Sequence, residues 1–346
     1  MSFKISRKRV FQQLKADLIG KDSYRGVTLT YAWLANQFGH IALGFIPTFL
    51  VNLFFCVSIL KSAIYVTLFW FLFELYNFLG PLLGKRKQNS VKEKYIFKPK
   101  WLNVAFDTFT DVCFFALGAI LCIISIDKFE EIGVLITVIA LSIYLAFATK
   151  YWYVTKMYQF YARFPFQFRL SQWNFNISES DKKSVVAFLE TKSKGNHLLV
   201  FGSLSTGKTS LGVGILNELS IQNNACLYLN SIKLYDYFFK NENDVLKAHE
   251  IWDWKNSDFL MIDDINPSEF GVNKLVTPND FLKFLEISDQ TKKTKNKTIL
   301  KEKNIIWVLG KLDQKISDND WVKMLKKDIG VIENKISVIN LQKAKG

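Results

Sequence analysis

Residues 197–209, HLLVFGSLSTGKT, decide how the second half of this chain folds. Four apolar residues lead into the pattern GxxxxGK[ST] at residues 202–209, where a strand should give way to a helix. In such a loop the backbone amides and the helix N-terminus bind phosphate, the lysine reaches the β- and γ-phosphates, and the next hydroxyl ligates Mg²⁺. The predicted binding residues are Gly202, Ser203, Leu204, Ser205, Thr206, Gly207, Lys208, Thr209 and Ser210.

A second motif, FLMIDD, occupies residues 259–264, where four apolar residues end in two carboxylates. At the end of a strand next to the P-loop strand, the first carboxylate would hold Mg²⁺ through water and the second would orient the attacking water. We therefore predict Thr209 and Asp263 as the metal-binding residues, and Lys208 and Asp264 as the catalytic residues.

Short apolar runs alternate with mixed helical stretches after Pro165, the pattern of an α/β domain with a parallel sheet. Helical crossovers between five strands are enough for one doubly wound nucleotide-binding domain. The predicted strands are residues 197–201, 225–230, 259–263, 305–309 and 336–341.

Residues 197–341 resemble the AAA+ ATPases of the group that contains bacterial replication initiators, helicase loaders and transposition ATP-binding subunits. The resemblance covers under half of the chain and rests on the P-loop, on ACLYLNSIKLYDYFF at 225–239, on DDI at 263–265 and on the run 305–316. It implies ATP and Mg²⁺ as cofactors, and a hydrolysis cycle coupled to assembly with further copies or with a partner protein.

The chain departs from the pattern of this group in three places. Gly310 and Lys311 stand where such ATPases place Ser, Thr or Asn to sense the γ-phosphate, and the end of the chain at Gly346 leads us to expect no C-terminal lid. No arginine follows Arg169, and residues 324–328, MLKKD, carry lysine where the group has an arginine finger. Because a finger is worth about 10³ to 10⁵ in rate in GTPases, we expect slow turnover unless a partner supplies one.

A GTPase is the alternative for this site. Residues 310–313, GKLD, resemble the guanine-reading NKxD, in which Asp313 would accept from the guanine edge. However, the leading Asn is Gly310, and no DxxG follows the second carboxylate strand. The mismatch favours ATP.

The first half of the chain contains four apolar runs that are long enough to cross a bilayer, at residues 41–60, 63–84, 104–126 and 132–150. Residues 1–169 hold 20 Lys and Arg against 9 Asp and Glu, which accounts for +11 of the net charge of +14. Most of these basic residues precede the first run or lie between the second and third. The positive-inside rule therefore predicts a multi-pass inner-membrane protein with both termini cytoplasmic.

These features divide the chain into four parts: a basic cytoplasmic leader with an amphipathic helix (1–40), a four-span membrane domain (41–150), an interfacial linker (151–175) and a cytoplasmic ATP-binding domain (176–346). The leader helix would lie on the inner membrane surface. Its apolar residues are Val10, Phe11, Leu14 and Leu18, and the aromatic collar at the interface consists of Tyr151, Trp152, Tyr153, Tyr158 and Tyr161.

Three ionisable residues, Glu74, Asp107 and Asp111, lie within the predicted spans. Inserting such a residue near the bilayer centre costs about 2.5 to 3.5 kcal/mol, so each one is a candidate functional residue. They would either line a cation path or be satisfied by snorkelling, by a neighbouring hydroxyl and by pairing in the bundle. The second interpretation is favoured, because three carboxylates without a repeated pattern do not define a filter.

A lysine-rich stretch just before the fourth strand would be a solvated loop or would contact phosphates of nucleic acid or lipid. No aromatic residue stands between its lysines to stack on bases, so nucleic acid is not favoured as a partner. The lysines are Lys292, Lys293, Lys295, Lys297, Lys301 and Lys303.

The sequence as a whole predicts a membrane-anchored ATP-binding protein that acts as a nucleotide-dependent switch or slow ATPase. Its partners would be the lipid bilayer and either further copies of itself or a protein that supplies the missing arginine. The alternative function is a membrane effector, in which the nucleotide domain gates a pore built from the four helices. A third is a scaffold that binds ATP structurally.

Overall fold

Long apolar helices make up the first half of the chain, and a parallel sheet with helices makes up the second. The computed structural model describes residues 3–19, 27–83, 95–127, 132–239, 251–265, 276–286, 290–310 and 318–342. Two units result. The helical unit consists of residues 5–94 and 98–156, and the sheet unit of residues 1–4, 95–97 and 157–346.

The helical unit begins with a short helix and continues with four that are long and apolar enough to cross a membrane. The first long helix begins at residue 29, twelve residues before the predicted span, because Thr28 caps it and accepts from the backbone N–H of Tyr31. The helices are α1 (Arg7–Leu18), α2 (Leu29–Phe55), α3 (Ile59–Leu83), α4 (Trp101–Asp127) and α5 (Ile132–Tyr161).

Helices α2 and α4 make the closest approach in the helical unit. A Cβ at Gly44 would overlap the carbonyl oxygen of Phe115, and one at Gly118 would overlap that of Ile41. In membrane proteins, small residues such as these allow two helix backbones to approach closely. Outside it, large apolar side chains remain exposed, as expected of helices that face lipid; examples are Phe54, Phe55, Phe69, Ile136 and Phe147.

Helix α1 is joined to the long helices by a buried carboxylate. Asp17 accepts from the backbone N–H of Thr30 at 3.1 Å and from its hydroxyl at 2.7 Å, and Thr30 shares a further hydrogen bond with Tyr153. Phe11 on the same helix is 68% exposed. The predicted leader therefore contains a helix, whose polar contacts fix it to the start of α2.

The sheet unit contains the five predicted strands, each within one residue of its predicted limits, and all are parallel. Their order is β2-β3-β4-β1-β5, so β4 separates the P-loop strand from the strand that ends in Asp263. The expectation that these two strands are adjacent is wrong. The strands are β1 (His197–Gly202), β2 (Cys226–Asn230), β3 (Phe259–Asp263), β4 (Asn304–Gly310) and β5 (Ile336–Leu341).

In the described part of the sheet unit there are six α-helices, one of which contains the lysine-rich stretch predicted as a loop. That helix forms because Leu300 and Asn296 bury one of its sides. Lys303, just after it, turns inward and donates to the carbonyl oxygens of Lys255 and Ser257. The helices are α6 (Glu179–Leu189), α7 (Lys208–Ile221), α8 (Ser231–Phe239), α9 (Pro278–Glu286), α10 (Gln290–Glu302) and α11 (Asp318–Met324).

Aromatic residues from outside the predicted ATP-binding domain complete the core of the sheet unit. Tyr158 and Tyr161, predicted as interfacial, are buried against Trp252 with ring centroids 5.5 and 5.7 Å away. Phe97, from the connection between α3 and α4, is buried against Trp173 at 5.9 Å. These rings pack inside the unit because the edge of the sheet leaves apolar surface to be covered.

Candidate nucleotide-binding site

The loop between β1 and α7 lies at the carboxyl edge of the sheet, where α/β domains bind their ligands. Gly207 has a φ of 79°, and a Cβ there would overlap the ring of Phe175. At Gly202 a Cβ would come within 2.5 Å of the Thr206 hydroxyl. Both positions therefore require glycine, for backbone conformation at the first and for close packing at both.

The loop is held by its own side chains. The Thr206 hydroxyl donates to the carbonyl oxygen of Ser203 at 2.9 Å, and the Lys208 ammonium donates to the same oxygen at 2.7 Å. Ser210 donates to the carbonyl oxygen of Gly207 at 3.0 Å. The ammonium group of Lys208 is therefore held against the backbone of the loop.

Asp263 is 2% exposed and accepts three hydrogen bonds. Its Oδ1 accepts from the Thr209 hydroxyl at 3.3 Å and from the backbone N–H of Asp264 at 2.9 Å, while Oδ2 accepts from the Tyr228 hydroxyl at 3.2 Å. Burial, and then the charge of Asp264, raise the pKa of Asp263. Helix α7 packs over both β3 and β4, which explains how Thr209 reaches a strand that is not the neighbour of β1.

Asp264 turns the chain at the end of β3. Its φ of 54° lies in the left-handed region, which Asp tolerates better than most residues. The Ser231 hydroxyl donates to its backbone carbonyl oxygen at 2.9 Å and so fixes the turn. The Asp264 side chain is exposed and lines the same cavity as Asp263.

Cavities of about 300 to 1,000 Å³ are typical of small-ligand sites, and the one here measures about 480 Å³. Seven of the nine predicted binding residues line it, at positions 204–210. Gly202 and Ser203 lie behind them as the end of β1 and the acceptor of the loop bonds. The other lining residues are Asp263, Asp264, Phe166, Phe175, Val308 and Gly310.

The residues present fit a triphosphate with a divalent cation. A buried carboxylate and a hydroxyl 3.3 Å apart supply the hard oxygen ligands that Mg²⁺ prefers, and a cation there would offset the cost of burying Asp263. Lys208 would neutralise the phosphates from the opposite side. The assignments of Thr209 and Asp263 to the metal, and of Lys208 and Asp264 to catalysis, stay predictions.

Sequence reasoning missed the residues that support this site from other segments. Trp173 donates its indole N–H to the carbonyl oxygen of Gly207, Phe175 covers that glycine, and Tyr228 holds Asp263. Trp173 and Phe175 lie in the segment predicted as an interfacial linker. The available signal was a cluster of aromatic residues directly ahead of the α/β domain, with few charges among them.

The structure describes part of two segments in which the chain departs from the pattern of the AAA+ group, residues 310–313 and 324–328. Gly310 ends β4 beside the P-loop and lines the cavity, whereas Lys311 and Asp313 lie outside the described residues. In the segment that resembles a finger region, Lys326 pairs with Glu333 at 2.8 Å. That lysine is therefore engaged within the unit.

In the helical unit, two of the three predicted membrane carboxylates line one cavity. Asp107 and Asp111 line a cavity of about 440 Å³ together with His40, and Asp111 Oδ1 lies 3.0 Å from His40 Nδ1. Glu74 is not among the lining residues. Over the described ranges, no three His, Cys, Asp or Glu side chains are placed to hold a metal ion.

The P-loop between β1 and α7, with Asp263 at the end of β3 two strands away in the same parallel sheet, defines the sheet unit as an α/β domain of the P-loop class. No protein-family model and no curated protein matches the chain. Six chains of solved structures do, among them the following two. The crystal structure of the DnaC helicase loader has 14% identity and a TM-score of 0.34, covering 50% of this chain and 96% of that one.

The crystal structure of the DnaI has 16% identity and a TM-score of 0.30, covering 52% of this chain and 89% of that one. The likeness to a helicase loader over about half of the chain is the one that the sequence predicted. At these identities the likeness says nothing about activity or partners, which have to be argued from the residues.

Proposed function

We propose that this protein is a membrane-anchored ATP-dependent switch with slow hydrolysis. The observation that carries the proposal is the meeting of Thr209 and Asp263 beside Lys208, in a cavity at the carboxyl edge of a parallel sheet. These groups match what a triphosphate and its Mg²⁺ require. Asp264, on the wall of the cavity, would orient the attacking water.

Slow turnover is proposed because the described part of the cavity wall contains no arginine. Arg169, the last arginine of the sequence, donates from Nε to Glu218 at 2.8 Å and is engaged there. A second copy or a partner protein would supply the missing charge. Assembly would then accelerate hydrolysis, which is the behaviour of a switch.

Anchoring in the inner membrane is supported by the four long apolar helices and their exposed apolar side chains. The basic segments before α2 and between α3 and α4 favour a cytoplasmic position for both, and so for the nucleotide domain. Helix α1, with Phe11 exposed among basic residues, would lie on the inner membrane surface.

Coupling between nucleotide and membrane would run through the connection between α3 and α4. Phe97 of this connection packs on Trp173, and Trp173 holds Gly207 of the P-loop. A change of the loop on ATP binding would therefore alter the packing of a segment that leads directly into a membrane helix. Both contacts lie within the sheet unit.

A pore gated by the nucleotide domain is the second candidate function. The cavity lined by His40, Asp107 and Asp111 favours it, because polar residues at the end of an apolar bundle are costly. The pairing of Asp111 with His40 favours a structural role for that carboxylate instead. Ion flux through liposomes that contain the protein separates the two functions.

The test of the proposed function is ATP and GTP binding and turnover by the full chain in lipid nanodiscs. Lys208→Ala should abolish binding, and Asp264→Asn should bind ATP but not hydrolyse it, trapping an ATP-bound assembly. Lys183→Ala, an exposed lysine on α6, is the matched control and should behave as wild type. Absence of nucleotide binding by folded wild-type protein would contradict the proposal.

A further inference from the structure

We propose that Tyr228 is a positioning residue that orients the Asp263 carboxylate toward the metal site. The inference rests on the proposed function of that site. Tyr228 lies on β2, beside the strand that carries Asp263, and its hydroxyl donates to Asp263 Oδ2 at 3.2 Å. The other oxygen, Oδ1, faces the Thr209 hydroxyl at 3.3 Å.

The donors around Asp263 are divided between its two oxygens. The Thr209 hydroxyl and the backbone N–H of Asp264 both reach Oδ1, and the Tyr228 hydroxyl is the donor found at Oδ2. A carboxylate held at both oxygens cannot rotate without breaking a hydrogen bond. Tyr228 therefore fixes the orientation in which Asp263 presents its other oxygen to Thr209 and to a cation beside it.

The hydrogen bond from Tyr228 is important because the Asp263 carboxylate is buried. Asp263 is almost fully enclosed, so bulk water has little access to replace a donor that is removed. The hydroxyl of Tyr228 acts on a residue predicted to touch the metal, without itself lining the cavity. Residues in this position, one contact removed from a metal, typically change metal affinity about 10- to 100-fold when they are replaced.

The hydroxyl can be removed without disturbing the strand. The backbone N–H of Tyr228 donates to the carbonyl oxygen of Ala162 at 2.9 Å, and this bond holds the edge of β2 whatever the side chain is. The backbone turn at Asp264 is fixed separately by Ser231. Tyr228→Phe therefore removes one donor from Asp263 and leaves the surrounding framework in place.

A matched control exists on the next helix. Tyr235 on α8 is likewise a half-buried tyrosine, and among the described residues its buried hydroxyl has no hydrogen-bond partner. Its ring stacks on Phe284 with centroids 4.2 Å apart. Tyr235→Phe therefore removes the same hydroxyl group at a place that does not touch the site.

The experiment measures binding of a fluorescent, non-hydrolysable ATP analogue to the full chain in nanodiscs, as a function of Mg²⁺ concentration. For Tyr228→Phe we expect the Mg²⁺ concentration at half-maximal effect to rise about 10-fold or more. Binding in excess chelator should match wild type, and the melting temperature should fall only slightly, because one donor to a buried carboxylate is lost. Tyr235→Phe should leave the Mg²⁺ dependence unchanged, and Tyr228→Met, which also lacks the hydroxyl, should repeat the shift.

Equal Mg²⁺ midpoints for wild type and both Tyr228 variants would overturn this inference while leaving the proposed function intact. A lower affinity of Tyr228→Phe that is the same with and without Mg²⁺ would also overturn it, since the residue would then support the nucleotide rather than the metal. If wild type binds no nucleotide, the proposed function itself fails, and the inference fails with it.

Discussion

The indole N–H of Trp173 donates to the carbonyl oxygen of Gly207 over 2.9 Å. A residue 34 positions before Gly207 therefore holds the backbone of the phosphate-binding loop. Phe175 covers the same glycine, and Phe97 packs against Trp173 from the connection between two apolar helices. The phosphate-binding loop is therefore supported by segments that do not belong to its motif.

Replacing Trp173 by Phe should weaken nucleotide binding about 3- to 10-fold, the cost of one neutral hydrogen bond. The measurement is equilibrium binding of a fluorescent ATP analogue. Trp254→Phe is the control, because this buried indole has no hydrogen-bond partner among the described residues. Equal losses in both variants would show that the indole ring matters for packing and the hydrogen bond does not.

Replacing Gly207 by Ala should abolish nucleotide binding and cost about 1 to 3 kcal/mol of stability, because φ there is 79° and the new methyl group would overlap Phe175. The double variant Gly207→Ala, Phe175→Ala removes the overlap and keeps the backbone strain. Full recovery of binding in the double variant would show that steric overlap alone is responsible. Gly133→Ala, at an open helix position, is the control.

Replacing Phe97 by Ala should destabilise the nucleotide domain by about 3 to 5 kcal/mol, the usual cost of emptying a buried phenylalanine site. Nucleotide affinity should fall as well, because Trp173 loses the ring on which it packs. Thermal melting and analogue binding measure the two effects. Phe97→Leu should be milder, and Phe11→Ala, at an exposed site on α1, should change neither.

Replacing Asp111 by Asn should leave ATP turnover unchanged and lower the stability of the helical unit by about 1 kcal/mol, because the contact with His40 is partly exposed. Melting in nanodiscs and ion flux through liposomes are the measurements. In the double variant with His40→Gln the losses should not add, since the pair is already broken. Flux that is present in wild type and absent in Asp111→Asn would favour the pore.

Burial in the core of the sheet unit lowers the pKa of His197 to about 4, from an ordinary value of 6.5. Between these values the unfolded chain binds a proton that the folded chain does not. Stability should therefore fall as pH drops from 6.5 to 4, by on the order of 3 kcal/mol, and then level off.

Urea unfolding of the sheet unit at several pH values measures the effect of His197. His197→Gln, which keeps an acceptor for the Trp307 indole N–H, should flatten the dependence in this window. A dependence as steep in this variant as in wild type would assign the acid sensitivity to other groups.

Local patterns determined much of this protein. The five strands were predicted within one residue because each is a short, mostly apolar run with a polar or glycine residue at its end or directly after it. The P-loop follows from eight consecutive residues, and the four long helices follow from apolar length alone. In each case the deciding forces act between residues that are close along the chain.

Tertiary structure decided the remaining features, because they depend on which distant segments meet. The start of α2 lies before its apolar run, since the polar residues Asn36, Gln37 and His40 face a cavity that an average over sequence cannot detect. The insertion of β4 between β1 and β3 is a matter of strand order. Only the packed sheet brings the hydroxyl of Tyr228 to Asp263, 35 residues further along the chain.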